Sequence, residues 1–134
     1  MEPRRAVQPY VIAYGLASLV HHVHNAEFLA DYPNLPPWLT PSGVYAAWFA
    51  VTAVGVAGYG LLRAGLRRAG LAVLAGYAAL GFAGLDHYAV APLRAHGAIM
   101  NLTIGLEVAS ASLLLLVVDR TLIQQPRIQR PRGA

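Results

Sequence analysis

The sequence predicts an all-α membrane protein, a four-helix transmembrane bundle with both termini in the cytoplasm. Hydrophobic residues make up 57% of the chain and charged residues only 12%, whereas soluble domains carry about 25% charged residues. The apolar residues fall into four runs, each close to the roughly 20 residues that a helix needs to cross a bilayer. The 134 residues are therefore expected to form a single membrane domain.

The first two predicted spans are separated by a proline-rich connection. The first span covers residues 9–31, since Pro9 suits the first turn of a helix. Residues 32–41 contain four prolines, which exclude a helix there because proline lacks the amide hydrogen that a helix requires. The second span covers residues 42–62 and holds no charged residue.

The last two predicted spans are joined by a short link. The third span covers residues 70–91 and is followed by Pro92, which cannot continue a helix in the usual way. The fourth span covers residues 96–118. The remaining residues, 119–134, form a basic tail that contains prolines, and we expect this tail to be frayed.

The arginines predict the orientation. All ten basic residues are arginine, and nine of them lie in the N-terminal arm, the second loop or the tail, with only Arg94 on the opposite side. Segments rich in arginine stay in the cytoplasm, so both termini should be cytoplasmic. Contact between these arginines and lipid headgroups also explains the net charge of +4, which argues against a nucleic-acid partner.

Composition adds two further expectations. The chain has no cysteine, which excludes disulfides, thiolate metal sites and a cysteine nucleophile. The absence of lysine and the abundance of alanine and glycine are typical of a G+C-rich bacterial genome. The expected location is therefore the inner membrane of a bacterium.

Polar side chains are concentrated on one side of the predicted membrane. In this topology all five histidines and four of the six acidic residues lie in the outer, non-cytoplasmic half. On a helical wheel His24, Glu27 and Asp31 fall within a narrow arc, with His21 beside it. Two further polar residues of the first span point away from this arc, namely His22 and Asn25.

Ionisable groups inside a membrane are costly, so such a cluster predicts a functional site. Burial moves both carboxyl and histidine pKa values towards neutrality, which suits general acid–base catalysis. Glu107, about a dozen residues from either end of its span, is the strongest acid–base candidate, and Glu27 is the second. His24 and His87 are expected to orient these carboxyl groups or to bind metal, while Asp31 and Asp86 support the histidines.

The same residues allow a metal site. His21 and His24 are three positions apart, and so are His24 and Glu27, a spacing that bundle metal sites use. The candidate ligands of a divalent transition metal are His21, His24, His87 and His96. The alternative is a hydrogen-bonded polar cluster that holds the helices together. Haem with two histidine ligands is less favoured, because carboxylates stand among the candidate ligands.

A short motif resembles a known family. The segment HNAEF at 24–28, followed by YPNLPPWL at 32–39, is similar to the HXXEE family of small integral membrane proteins. The first helix of that family carries His-x-x-Glu-Glu, often before a segment of prolines and aromatic residues. His24 and Glu27 match the motif, whereas Phe28 stands at the second glutamate. The resemblance covers about the first forty residues and implies a site in the first helix without assigning a reaction.

Together these features predict a small membrane-embedded enzyme. It is expected to act on a lipophilic substrate, such as a lipid or isoprenoid-like molecule, by isomerisation, cyclisation or hydrolysis, with or without a metal. No glycine-rich phosphate loop or Ser-His-Asp order is present. Two alternatives stay open: a non-catalytic or cofactor-anchoring subunit of a larger membrane complex, and a protein that handles protons or metal ions. Small residues on the helix faces would permit a homodimer.

Overall fold

The computed structural model describes residues 2–124, and all the regular structure in this range is helical. The all-α prediction is confirmed for these residues, while residues 125–134 of the predicted tail lie outside them. Three 3-10 segments connect the α-helices: Leu29–Asp31, Gly81–Leu85 and Leu93–Ala95. The α-helices are α1, Pro3–Glu27; α2, Pro41–Arg63; α3, Arg67–Leu80; α4, Asp86–Val90; and α5, Ala98–Ile123.

Helix α1 differs from the prediction at both ends. It begins at Pro3 and includes Pro9 in its interior, and the completely buried Val7 anchors these first turns in the core. It ends at Glu27, so the predicted continuation to Asp31 is wrong. In a straight helix Tyr32 would lie about 12 Å further along the axis than His24. The observed turn instead brings the Tyr32 hydroxyl within 2.9 Å of His24 Nδ1.

The proline-rich connection ends at a well-formed helix start. Thr40 has extended backbone angles and its hydroxyl accepts a hydrogen bond from the Gly43 amide at 3.1 Å. Pro41 occupies the first position of α2, where its missing amide hydrogen has no cost. The connection and the start of α2 therefore agree with the prediction to within one residue.

The third predicted helix is interrupted. After α3 the chain tightens into the 3-10 segment Gly81–Leu85 before α4 begins. A Cβ atom at Gly81 would lie 2.6 Å from the Cβ of Ala111 in α5, and one at Gly84 would lie 3.2 Å from Glu107 Oε2. These two glycines therefore let this segment approach α5 closely, as small residues do between membrane helices.

Three helical segments are long and apolar enough to cross a membrane: Pro41–Arg63, Arg67–Val90 and Ala98–Ile123. Helix α1 has 25 residues, so its length is also sufficient, but its histidines and other polar residues make it less apolar than the other three. The described chain is thus consistent with an integral membrane protein.

The helices pack in a closed order, with α1 against α5 and α2, α2 against α3, and α3 against α5. The start of α1 lies near the end of α5, because Val7 and Val118 belong to the same buried cluster. We call this end of the molecule the apolar half. Its buried cluster consists of Val7, Tyr14, Leu62, Leu71, Leu74, Tyr77, Ala78, Ala111, Leu114 and Val118.

The opposite end, where α1 ends and α5 begins, we call the polar half. Its buried side chains include histidine, asparagine, threonine and glutamate beside apolar residues such as Val44 and Ile104. The polar residues among them are His21, Asn25, His96, Thr103 and Glu107.

Candidate functional site

Glu107 is the centre of the polar half. It lies in the tenth position of α5, about 14 Å along the axis from the start of the helix, and only 3% of its surface is exposed. Its ion-pair partners are two histidines of α1. His21 Nε2 is 3.6 Å from Oε2 and His22 Nδ1 is 3.8 Å from Oε1. The carboxyl group is therefore held between two imidazole rings.

The hydrogen bonds of Thr103 determine the tautomer of His21. The Thr103 hydroxyl donates its one hydrogen to the Met100 carbonyl at 3.0 Å. It can only accept from His21 Nδ1, which lies 3.4 Å away. A neutral His21 consequently carries its hydrogen on Nδ1, and the lone pair of Nε2 faces Glu107. The two groups are complementary, since a protonated Glu107 carries the hydrogen that this lone pair accepts once the 3.6 Å separation shortens to hydrogen-bond distance.

His22 is held mainly by its own helix. Its Nδ1 donates to the Ser18 carbonyl at 2.9 Å and lies 3.4 Å from the Ser18 hydroxyl. Ser18 is completely buried. Because Nδ1 donates to the backbone, a neutral His22 has its lone pair on Nε2. His22 therefore supplies a polar wall beside Glu107 rather than a second acceptor for its proton.

The inward face of α1 differs from the predicted one. The buried positions are Tyr14, Ser18, His21 and Asn25, whose spacings of four, three and four residues define one helical stripe. The arc around His24 and Glu27 lies to one side of that stripe. The polar residues that were expected to point away, His22 and Asn25, line the site instead.

The predicted acids other than Glu107 do not reach the site. Glu27 is exposed and accepts a hydrogen bond from the Tyr45 hydroxyl at 2.7 Å. Asp31 is exposed in a 3-10 segment, so its predicted place on the helical arc is wrong. Asp86 is exposed at the start of α4. Burial requires a partner for each charge, and these carboxylates remain where water or headgroups can solvate them.

A second layer of polar groups covers the outer side of the His21–Glu107 pair. Tyr32 is buried, and its hydroxyl lies 2.9 Å from His24 Nδ1 and beside Thr103. Burial raises the pKa of the Tyr32 hydroxyl, while the contact with Thr103 opposes this shift. The phenol thus stays protonated at neutral pH and acts as a hydrogen-bond donor. It connects the half-buried His24 to the buried groups below it.

His87 and His96 extend the cluster towards the loop before α5. The His87 ring meets the ring of His21 edge-on, with centroids 5.4 Å apart, and the ring of His96 at 6.1 Å. Asn25 Nδ2 lies 3.4 Å from His87 Nε2. His96 Nδ1 donates to the Pro92 carbonyl at 3.2 Å. Within this cluster, two buried atoms find no hydrogen-bond partner among the described residues: Asn25 Oδ1 and His96 Nε2.

The four histidines of the predicted metal site do not converge on one point. Within residues 2–124, no group of three or more histidine and carboxylate side chains is arranged so that it could hold a metal ion. His24 Nδ1 is engaged by Tyr32 and His96 Nδ1 by a backbone carbonyl.

A cavity of about 230 Å³ adjoins Glu107. Every long helical segment contributes to its wall, and a water molecule occupies roughly 30 Å³ in the liquid, so the cavity has room for a small reacting group. We call it the polar cavity. Its lining residues are His21, His22, Asn25, Ala47, Val51, Leu80, Ala83, Gly84, His87 and Glu107.

Sequence reasoning missed the residues that orient the pair. Ser18 and Thr103 were not singled out, since a serine or threonine within an apolar helix is common and carries no distinctive spacing. The four-three-four spacing of Tyr14, Ser18, His21 and Asn25 was present in the sequence, but the spacing of His24, Glu27 and Asp31 matched a helical stripe equally well. Tyr32 had no such signal, because its place depends on the turn after α1.

Comparisons with known proteins identify no related protein. No family model matches the chain, and no curated protein or solved structure matches it. The resemblance of residues 24–39 to the HXXEE family stays a prediction. Of the two motif positions, His24 contacts Tyr32 at the rim of the site and Glu27 contacts Tyr45 outside it.

Proposed function

We propose that this protein is a membrane-embedded acid–base enzyme that acts on a lipophilic substrate, with His21 and Glu107 as its proton-transferring pair. One observation carries the proposal. A carboxyl group that is 3% exposed faces the lone-pair nitrogen of a histidine at 3.6 Å on the wall of a cavity. Buried ionisable groups of this kind in a membrane helix mark functional sites by default.

The pair supports a reaction that moves a proton. It holds one proton, either as neutral Glu107 with neutral His21 or as a carboxylate with an imidazolium. In the first state Glu107 donates to a substrate atom and His21 Nε2 accepts from another. Isomerisation of a double bond needs only this removal and delivery of a proton, with no further reactant, so it is our first choice. Cyclisation would begin with the same proton donation, whereas hydrolysis would also need water.

The fourth span and the orientation are part of the proposal. Helix α1 presents Ile12, Leu16 and Val20 at intervals of four residues, and each is more than half exposed. An apolar stripe on the outside of a helix suits contact with lipid. With α1 as a span, the chain forms a four-helix transmembrane bundle, and the arginine bias places both termini in the cytoplasm of a bacterium and the polar half on the outer side.

A second candidate function is proton transfer across the polar half. The hydroxyl of Tyr32 lies between His24 and Thr103, and Thr103 lies next to His21, whose ring faces Glu107. A proton passes along this series when the Thr103 hydroxyl turns its hydrogen from the Met100 carbonyl towards Tyr32 or His21. Such a series of donors and acceptors is the arrangement that relays protons in membrane proteins. This observation favours the relay over the metal-handling version of the same prediction.

Deuterium exchange tests the enzyme without knowledge of its substrate. The protein in nanodiscs is incubated with a total bacterial lipid extract in D2O, and the extract is examined by mass spectrometry. An isomerase that delivers solvent-derived protons introduces deuterium at carbon in one class of lipid. We expect Glu107→Gln to abolish this labelling and Glu27→Gln, which alters an exposed carboxylate, to leave it unchanged.

Two outcomes contradict the proposal. Labelling that persists in folded Glu107→Gln protein would show that this carboxyl group is not the acid. Absence of any Glu107-dependent labelling, together with proton uptake into proteoliposomes that requires Glu107, would establish the relay instead. A protein that always purifies with other subunits and labels nothing would favour the non-catalytic subunit.

A further inference from the structure

A second cavity lies next to the polar cavity and is almost entirely apolar. Its volume is about 240 Å³, and residues of α1, α2 and α3 line it. We call it the apolar slot. Val56 at its edge is 67% exposed, so the slot opens sideways, towards the lipid in a membrane. Its wall includes Val11, Gly15, Thr52, Val56, Tyr59 and Tyr77.

The slot and the polar cavity share no lining residue but are neighbours along the same three helices, and we call the two together the crevice. In α2, Val51 lines the polar cavity and the next residue, Thr52, lines the slot. In α3, Tyr77 of the slot precedes Leu80 of the polar cavity by about one turn. Each of α1, α2 and α3 therefore lines the slot along one part of its length and the polar cavity along the adjoining part. The two spaces consequently lie end to end.

Two glycines of the slot wall, Gly15 and Gly55, let Tyr77 approach α1 and α2 closely. A Cβ atom at Gly55 would lie 2.7 Å from the Tyr77 ring, and one at Gly15 would lie 3.4 Å from the Tyr77 hydroxyl. Tyr77 thus packs directly on the backbone of α2 and leaves the space beside it open. An apolar cavity of this size stays dry, so hydrocarbon is the material that fits it.

The residues that line the polar cavity favour one kind of polar head group in a ligand. No arginine stands among the described residues that line it, and two of its three histidines, His21 and His22, already face the Glu107 carboxyl group. A phosphate or diphosphate head would therefore meet that carboxyl group without a permanent cation to balance it. Asn25 Oδ1 is buried and has no hydrogen-bond partner within residues 2–124. A free acceptor of this kind suits the hydroxyl group of a ligand.

We propose that the crevice binds a neutral single-chain alcohol, with its hydroxyl end in the polar cavity beside Asn25 and Glu107 and its hydrocarbon chain in the apolar slot. This inference rests on the proposed function and names the substrate class of the same site. Each space accommodates roughly eight non-hydrogen atoms, taking about 30 Å³ for each as for water. A chain of about 12 carbons therefore fits the two together.

Photolabelling with a dodecanol that carries a diazirine in mid-chain tests the slot. Full-length protein in phosphatidylcholine nanodiscs is irradiated with increasing amounts of the probe, and labelled peptides are identified by mass spectrometry. We expect saturable labelling at Val11, Thr52 and Val56, which excess dodecanol displaces. Thr52→Phe fills the slot and should weaken labelling about tenfold, whereas Ala57→Phe, on the exposed side of α2, should not change it.

Competition in the wild-type protein tests the head separately, so the result does not depend on the folding of a variant. Dodecanol should displace the probe at least about tenfold better than dodecyl phosphate does. Equal displacement by the two compounds would overturn the assignment of a neutral head. Labelling that never saturates, and that reaches outward-facing residues such as Phe49 and Leu113 equally, would show only lipid contact and overturn the slot.

The failure of this inference is distinguishable from failure of the proposed function. Glu107→Gln should retain saturable labelling, because the slot does not contain the carboxyl group. Saturable labelling without any Glu107-dependent deuterium exchange would contradict the enzyme and keep the alcohol site. Deuterium exchange without saturable labelling would contradict the alcohol site and keep the enzyme.

Discussion

The two halves of the molecule are built on the same helices but bury different groups. In the apolar half Leu71, Leu74 and Leu114 are completely buried, and they pack against glycine backbones and tyrosine rings. In the polar half the buried groups include histidines, Asn25 and Glu107. Two polar atoms there, Asn25 Oδ1 and His96 Nε2, have no hydrogen-bond partner within the described chain. Lipid is as apolar as leucine, so close packing rather than water exclusion holds the apolar half together.

This difference indicates that the two halves have different roles, the apolar half in stability and the polar half in chemistry. The apolar half has the close contacts that a membrane helix pair requires, such as Leu74 against Gly58. The polar half has a 3-10 interruption and buries ionisable and amide groups, and two of its polar atoms, Asn25 Oδ1 and His96 Nε2, have no hydrogen-bond partner within residues 2–124. Unmade hydrogen bonds of buried groups cost stability. Departures from ideal packing of this kind are expected where a protein performs its function. Changes in the two halves should therefore have opposite effects on activity and on stability.

The largest expected effect is on activity in the polar half. Glu107→Gln preserves shape but removes the transferable proton, so deuterium labelling of the substrate should fall by about 10²–10⁴-fold. The thermal midpoint should stay close to that of the wild type, because an amide replaces a carboxyl group of the same size. A large loss of thermal stability in this variant would instead identify Glu107 as part of a structural polar cluster.

A change in the apolar half should lower stability rather than act directly on the chemistry. A Cβ at Gly70 would lie 2.8 Å from the backbone nitrogen of Leu62, which cannot move aside as a side chain can. Gly70→Val should therefore lower the free energy of unfolding by about 1–3 kcal/mol, measured by denaturant titration followed by circular dichroism. Gly76→Ala is the matched control, since nothing lies within 4 Å of its added atom. Equal stability of the two variants would contradict the close packing of α2 on α3.

A smaller effect tests the orientation of the pair. Thr103→Val removes the oxygen that accepts from His21 Nδ1, so the preference for the Nδ1-protonated form should be lost. Nitrogen-15 NMR of labelled histidine should show this tautomer of His21 in the wild type and a mixture in the variant. Activity should fall by about tenfold, which corresponds to roughly 1.4 kcal/mol. Thr121→Val, whose hydroxyl donates to Val117 in the apolar half, should change neither signal.

The smallest expected effect concerns Tyr32 and high pH. Its pKa is raised by burial, so the folded state keeps this proton more firmly than the unfolded chain, in which the pKa is about 10. Its contribution to stability is full below pH 10 and is lost as the pH rises through the folded pKa. The thermal midpoint of the wild type should fall between pH 10 and 11 more steeply than that of Tyr32→Phe.

The Tyr32→Phe variant also separates the two candidate functions. It removes the hydroxyl that joins His24 to Thr103 at a cost of about 0.5–1.5 kcal/mol. An isomerase whose proton transfer needs only His21 and Glu107 should keep its deuterium labelling. A relay should lose proton uptake into proteoliposomes, and unchanged uptake would exclude this route.

The sequence by itself determined the helical class, the break at the prolines of residues 32–41 and the burial of Glu107. These are local properties, because hydrophobic content, the missing amide hydrogen of proline and depth along a helix need no knowledge of neighbours. The arginine pattern likewise supports an orientation that stays a prediction. His21 was predicted only as a candidate metal ligand, and its contact with Glu107 in α5 was not predicted.

The tertiary structure alone decided which face of α1 turns inward and which residues pack against that face. Polar residues occur on several sides of α1 near His24, so its wheel does not rank one face above another. The packing of Tyr14 and Val7 into the apolar half selects the stripe that carries His21 and Asn25. The turn after Glu27 then returns Tyr32 to the site. Both results depend on contacts between residues far apart in the chain, which no local pattern encodes.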